Sequence, residues 1–173
     1  MLIRIHFLGP AIALEYKNEV ILGVFYDPNR DELFAAEKFA GATLNGEKIH
    51  VSKASVVQNS LLATGFAYSI QEGNRDNNLD NFRKFILKAR AVRRPGVATV
   101  DLVYVACGRL DGFWELHLKP WDIAAGALIV EEAGGRASNF DGTKLDIYGI
   151  EILVSNGLIH EEMMKILCDG TII

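Results

Sequence analysis

The sequence predicts an α/β fold, layered in the α+β manner: a partial antiparallel β-meander followed by an alternating α/β unit. Three observations predict it. Residues 11–52 hold strand-like runs broken by short turns. Beyond residue 58, short apolar strands alternate with segments of helical period. The most apolar helical segment closes on the paired glycines Gly134 and Gly135. Residues 1–58 are therefore expected to form an antiparallel-sheet domain, and residues 59–173 an α/β domain.

In the meander, "AIALEYK" (11–17) alternates loosely, "VILGVFYD" (20–27) is rich in β-branched and aromatic residues, and "DELFAAEK" (31–38) supplies a third strand. The breaks "NE" and "DPNRD" read as turns. "GATLNGEKIHVS" (41–52) carries Asn45-Gly46, a strong two-residue hairpin signal. In the second part, "SLLATGF" (60–66) is a short apolar strand. In "NRDNNLDNFRKFILKA" (74–89), Leu79, Phe82, Phe85 and Ile86 mark a helical face. "ARAVRR" (89–94) reads as a strand, "ATVDLVYVACG" (98–108) as a helix ending at Gly108, and "DGFWELHL" (111–118) as a strand. "WDIAAGALIVEEAGG" (121–135) is a helix with a Gly-Gly stop. "IEILVSNG" (150–157) is a strand and "LIHEEMMKILC" (158–168) a closing helix. This alternation calls for crossover connections.

Composition excludes several classes. Of 173 residues, half are hydrophobic and 23% charged, which is enough chain to bury a core. A net charge of −4 gives no reason to expect nucleic acid or an anionic membrane as partner. No apolar run approaches the ~20 residues of a membrane span. The opening "MLIRIHFLGPAIAL" has a faint signal-peptide look but no convincing cleavage site, so a cytoplasmic location is expected. Cys107 and Cys168 have no metal-ligand spacing and are expected as buried free thiols.

The carboxylates carry the chemistry. Along 113–118 side chains alternate, placing Phe113, Glu115 and His117 on one face and Trp114, Leu116 and Leu118 on the other. Glu115 is thus expected to point away from the more apolar face. Pro120 ends the strand pairing, and Asp122 opens the next helix. Two readings of Asp122 stand side by side. As a helix-start acid it complements the dipole and bonds free backbone N–H groups, worth ~0.5–2 kcal/mol. As a rigid hard-oxygen group it suits Mg²⁺, at a strand-to-helix junction where α/β sheets bind ligands. In "RRPGVAT" (93–99), the small Gly96 and Ala98 precede a helix, so backbone N–H groups there suit an anion or a sugar hydroxyl; a tight turn is the plainer reading. Arg93 and Arg94 read as surface residues. "FDGTKLD" (140–146) is a polar turn, and "DPNRD" (27–31) a hairpin connection. His6, His50, His117 and His160 show no ligand spacing, and Ser60 and Ser69 lack a nucleophile-elbow context.

"PWDIAAGALIVEEAGG" resembles the C-terminal signature of the inositol monophosphatase family. "IALEYKNEVILGVFYDPNRDELFAAEKFAGATLNGEKIHVS" is similar to the family's meander, and "RRPGVATVDLVYVACGRLDGFWEL" to its Arg-Arg-x-Gly-Ser-Ala and Gly-Arg-x-Asp-Gly segments. The resemblance runs over residues 11–168. It implies Mg²⁺-dependent hydrolysis of inositol phosphates, metal-activated water attacking phosphorus, and a homodimer. It also implies roles for residues: Asp122 as a metal ligand that touches substrate, Glu115 as acceptor for an inositol hydroxyl, and Gly96 and Ala98 as the backbone that meets the sugar ring. Val97 stands where the family often has Ser or Thr. The family's other metal acids, in Gly-Glu-Glu and Asp-Pro-Ile-Asp-Gly-Thr, precede the strand corresponding to "AIALEYK", and "MLIRIHFLGP" supplies no acid. The expectation is a chain truncated at its N-terminus, with 1–58 the remnant of the antiparallel-sheet domain. A single carboxylate does not hold a Mg²⁺ cluster, so this chain alone is expected to be inactive. The alternatives within the superfamily are fructose-1,6-bisphosphatase or nucleotide phosphatase activity. Outside catalysis, the alternative is a fragment that associates with a full-length homologue.

Overall fold

A computed structural model of the chain describes residues 7–66 and 78–169. The first sheet is a meander of β1 (Ala11–Tyr16), β2 (Glu19–Asp27), β3 (Glu32–Glu37), β4 (Gly41–Leu44) and β5 (Glu47–Lys48), each antiparallel to the next. Asn45 (φ 50°) and Gly46 (φ 85°) both adopt left-handed backbone, the turn a two-residue hairpin favours. The Asn45 carboxamide oxygen accepts the Leu33 N–H, and its NH₂ donates to the Asp31 carbonyl. The β1–β2 turn falls on Lys17 and Asn18, one residue before the expected "NE" break, because Tyr16 already pairs with Glu19. Asp27 is buried at the β2–β3 connection, where it accepts the Asn29 and Arg30 N–H groups and pairs with the Arg30 guanidinium at 2.7 Å. The hairpin reading of "DPNRD" holds.

The second sheet contains β6 (Leu61–Thr64), β7 (Ala91–Arg93), β8 (Gly112–Leu116), β9 (Arg136–Ser138) and β10 (Glu151–Ser155), in the order β7-β6-β8-β10-β9. β6 lies parallel to β7 and β8, whereas β10 is antiparallel to β8 and β9. β9 escapes a sequence reading because three residues cannot display a period. Among the described residues three α-helices connect these strands, α1 (Leu79–Ile86), α2 (Ala98–Ala106) and α3 (Pro120–Glu132), and α4 (His160–Cys168) follows β10. Residues 74–77 of the expected first helix lie outside the described residues, as do His6 and Ser69. The helical face is narrower than expected. Phe85 is fully buried and stacks on Trp114 with ring centroids 4.0 Å apart, but Leu79 and Ile86 are about half exposed.

Alternation along β8 sets the layers. Phe113 joins a core with α2, α3 and the first sheet's Phe25 and Phe34. Trp114 joins a second core with Phe85, Ile159 and Met163. Helices α1 and α4 therefore cover one face of the second sheet, α2 and α3 the other, and the first sheet closes over α3. This is why α3 is apolar all round: every residue from Ile123 to Val130 is buried between sheets. The packing is close enough to require glycine. A Cβ on Gly23 would sit 2.7 Å from the Ala125 carbonyl oxygen, and one on Gly126 would sit 2.6 Å from the Leu102 Cβ.

The "GRLDG" segment stitches the layers together. Arg109 forms a two-pronged pair with Glu32 at 2.6 Å, and Asp111 accepts the Leu61 N–H at 2.6 Å and the Ser52 hydroxyl. Both cysteines are free thiols, but the expected burial is wrong for Cys168, which is exposed at the end of α4; Cys107 is partly buried. Among the described residues no helix is long and apolar enough to cross a membrane.

Candidate functional site

The parallel strands β6, β7 and β8 end on the same side of the second sheet, and α2 and α3 begin there. Carboxyl ends of parallel strands, facing helix N-termini, are where α/β sheets bind ligands. The sequence-derived candidates assemble at this edge. Glu115 is the penultimate residue of β8, Asp122 lies in the first turn of α3, and Gly96 and Ala98 flank the start of α2.

The turn into α2 is open. Gly96 has φ 92°, a left-handed backbone that suits glycine, and a Cβ there would meet nothing within 4 Å. Val97 precedes the helix in extended conformation, and its side chain makes no cap. The first amides of α2 point toward the edge before any intrahelical acceptor exists for them. Thr99 donates its hydroxyl to the Asp122 carbonyl at 2.7 Å, locking the first turns of α2 and α3 together.

Asp122 does what a first-turn acid does: its Oδ2 accepts the Lys119 N–H at 3.0 Å. Glu115 takes the side of β8 that alternation predicts, opposite Trp114 and Leu116, but that side is covered rather than open. It shares with Phe113 the face covered by α2 and α3, and is only 7% exposed. The alternation also stops early. His117 adopts φ 63°, which ends the strand at Leu116, and Leu118 packs with the Phe113 core rather than on the Trp114 side. The Glu115 carboxylate lies against Gly65 at the end of β6, where a Cβ would fall 2.3 Å from both its oxygens. Gly65 is held in turn. Its carbonyl accepts from Asn78, whose side chain also donates to Thr64 and accepts the Trp114 indole N–H, each at 2.8 Å.

Charge is concentrated here with little compensation. Burial pushes the Glu115 carboxyl up to about 7, helped by the Asp122 charge and opposed by Arg94. Arg94 itself is exposed, as expected, and lies over the Phe66 ring at 5.3 Å, so its charge reaches the site from the rim. Asp101, in the first half of α2, was missed by the sequence reading. It is 1% exposed, and burial with the Glu115 charge pushes it up to about 8. The available signal was an acid inside "ATVDLVYV", a helix otherwise apolar on every side.

These residues do not by themselves fit a Mg²⁺ centre. Asp122 shares one oxygen with a backbone N–H, and the other two acids sit in surroundings that oppose ionisation. Among the described residues no group of three or more His, Cys, Asp or Glu side chains is placed to hold a metal ion. What the arrangement can do is accept hydroxyl hydrogens at Glu115 and offer backbone N–H groups to an anion or hydroxyl at the start of α2.

Comparison with known proteins gives a consistent picture. The model of the inositol monophosphatase family matches residues 9–171. Over 157 residues the chain is 46% identical to the inositol-1-monophosphatase of Synechocystis sp., covering 91% of this chain and 54% of that protein. It is also 46% identical over 134 residues to the Nus factor SuhB of Pseudomonas aeruginosa, covering 77% and 49% of the two chains. The solved inositol monophosphatase of Anabaena (Nostoc) sp. superposes with a TM-score of 0.91 at 42% identity, over 94% of this chain and 64% of that one. The chain thus spans about half the length of the curated relatives it matches.

Proposed function

This chain belongs to the inositol monophosphatase family, and on that premise we propose that it supplies the sugar-binding wall of a Mg²⁺-dependent inositol-phosphate phosphatase. The observation that carries the reading is the buried Glu115 carboxylate seated on Gly65, beside the open N-terminus of α2. Glu115 accepts a ring hydroxyl, the Gly96–Ala98 backbone donates to a neighbouring one, and Asp122 faces the phosphate ester. Hydrolysis with metal-bound water needs more anionic ligands than Asp122, so the chain alone is proposed to bind substrate and turn it over little.

The experiment is phosphate release with Mg²⁺ from inositol 1-phosphate, fructose 1,6-bisphosphate and a 3′-phosphoadenosine nucleotide. Background release from all three is expected. Robust turnover of any of them overturns the incomplete metal site, and turnover of either of the last two also overturns the substrate assignment.

A second reading, association with a longer homologue, is favoured by the edge of β1, which no strand pairs among the described residues and where Ile12, Leu14 and Tyr16 are each more than half exposed. Unpaired apolar strand edges recruit other chains. Sedimentation decides it: a monomer at all concentrations counts against association.

A further inference from the structure

Asp101 is buried on a helix of apolar neighbours, and its Oδ1 has no hydrogen-bond partner among the described residues. A buried carboxyl left so costs about 1–3 kcal/mol, and such atoms in native proteins commonly hold an ordered water. The Glu115 charge adds to burial in raising the Asp101 carboxyl. Glu115 in turn faces Asp122 on α3 and Arg94 at the end of β7. Asp101 lies on α2 and Glu115 on β8, the two elements pack on one another, and both carboxyl-bearing residues are buried. The Glu115 carboxylate also lies against Gly65.

We propose that Asp101 is the positioning residue for Glu115: the two carboxyl groups share one water, which holds the Glu115 carboxylate on Gly65 and leaves its outer oxygen free for a ligand hydroxyl. In the shared arrangement the Asp101 O–H donates to the water oxygen, and the water donates one hydrogen to Glu115. No covalent bond changes. Asp101 acts through Glu115 and is a positioning residue, not a catalytic one. The positioning role does not depend on the substrate class; its consequence for polyol binding rests on the function proposed above.

The test is crystallographic, on the wild-type chain, Asp101→Asn and Asp101→Leu, with calorimetric titration of each by myo-inositol. In the wild type an ordered water is expected within hydrogen-bond range of both Asp101 Oδ1 and Glu115. Asp101→Asn keeps a donor, the water and the Glu115 rotamer, and binds inositol within about twofold of wild type. Asp101→Leu loses the water, lets Glu115 turn off Gly65 and weakens binding by about tenfold. A wild-type structure without the shared water overturns the proposal, as does an unmoved Glu115 in Asp101→Leu. If the leucine variant does not fold, the water in the wild type and in Asp101→Asn still decides. A shared water in a wild type that ignores inositol upholds the positioning role and overturns the polyol reading instead.

Discussion

The Glu115 carboxylate rests on Gly65 with no room for a side chain between the two strands: a Cβ at residue 65 would lie 2.3 Å from both carboxylate oxygens. The obstructing atoms are the far end of a side chain rather than backbone, so the conflict resolves by moving Glu115. Gly65→Ala is expected to keep the fold, with Tm lowered by about a few degrees, while inositol binding falls by about tenfold. Thermal melts beside calorimetric titration check this. Unchanged binding would show that the Glu115 rotamer is irrelevant to the site.

Asn78 holds the same strand end from the opposite face. It satisfies the buried Trp114 indole N–H while donating to Thr64 and to the Gly65 carbonyl. Removing the amide orphans those groups, at about 2–3 kcal/mol. Asn78 also sits at φ 66°, so Asn78→Gly isolates the hydrogen-bond loss and Asn78→Ala adds backbone strain. Urea unfolding should rank the stabilities wild type, Asn78→Gly, Asn78→Ala. Equal midpoints would remove the network from the account.

Asp101 makes stability fall as pH rises. Its folded pKa is raised to about 8, against roughly 4 when unfolded. Between those values the folded state keeps a proton that the unfolded state releases, so unfolding gains with pH. Asp101→Asn removes the slope. Its advantage over wild type in urea unfolding should grow between pH 5 and pH 8 by on the order of a few kcal/mol. A constant difference across that range would place the ionised form of Asp101 in the folded protein.

His160 works in the other direction. Its ring is fully buried between Ser138, 2.8 Å from Nε2, and Ser155, 2.9 Å from Nδ1. Ser138 spends its proton on the Asn139 carbonyl, so Nε2–H donates to Ser138 and Nδ1 accepts from Ser155. Burial, with the Arg136 charge, lowers the folded pKa to about 4, against 6.5 unfolded. The neutral ring's contribution is complete above pH 6.5 and is lost as pH falls toward 4, by about 3 kcal/mol in total. His160→Gln should flatten that part of the urea-midpoint profile; a profile as steep as wild type would assign the loss elsewhere.

Elements with a strong local signal were legible from sequence: the Asn45-Gly46 turn, the body of β8 up to Leu116, and α3 with its Gly-Gly stop stand where the pattern put them. Elements set by tertiary contact were not. β9 is three residues long and exists because β10 offers it an edge. Alternation gave the side Glu115 takes but not its burial, because α2 and α3, which cover that side, are brought there only by folding. The candidate site was gathered from separate segments. Residue matching picked out Glu115, Asp122, Gly96 and Ala98 one by one, and folding brings them to one edge; Gly65 meets Glu115, and Asp101 is buried on α2, through tertiary packing that no local pattern displays.

The most direct test is calorimetric titration of this chain with inositol 1-phosphate, with phosphate release followed in the same samples. The account predicts saturable binding that Glu115→Ala weakens by about tenfold or more, with release at background whether or not Mg²⁺ is added. Binding indifferent to Glu115, or sustained Mg²⁺-dependent release by the chain alone, would contradict it.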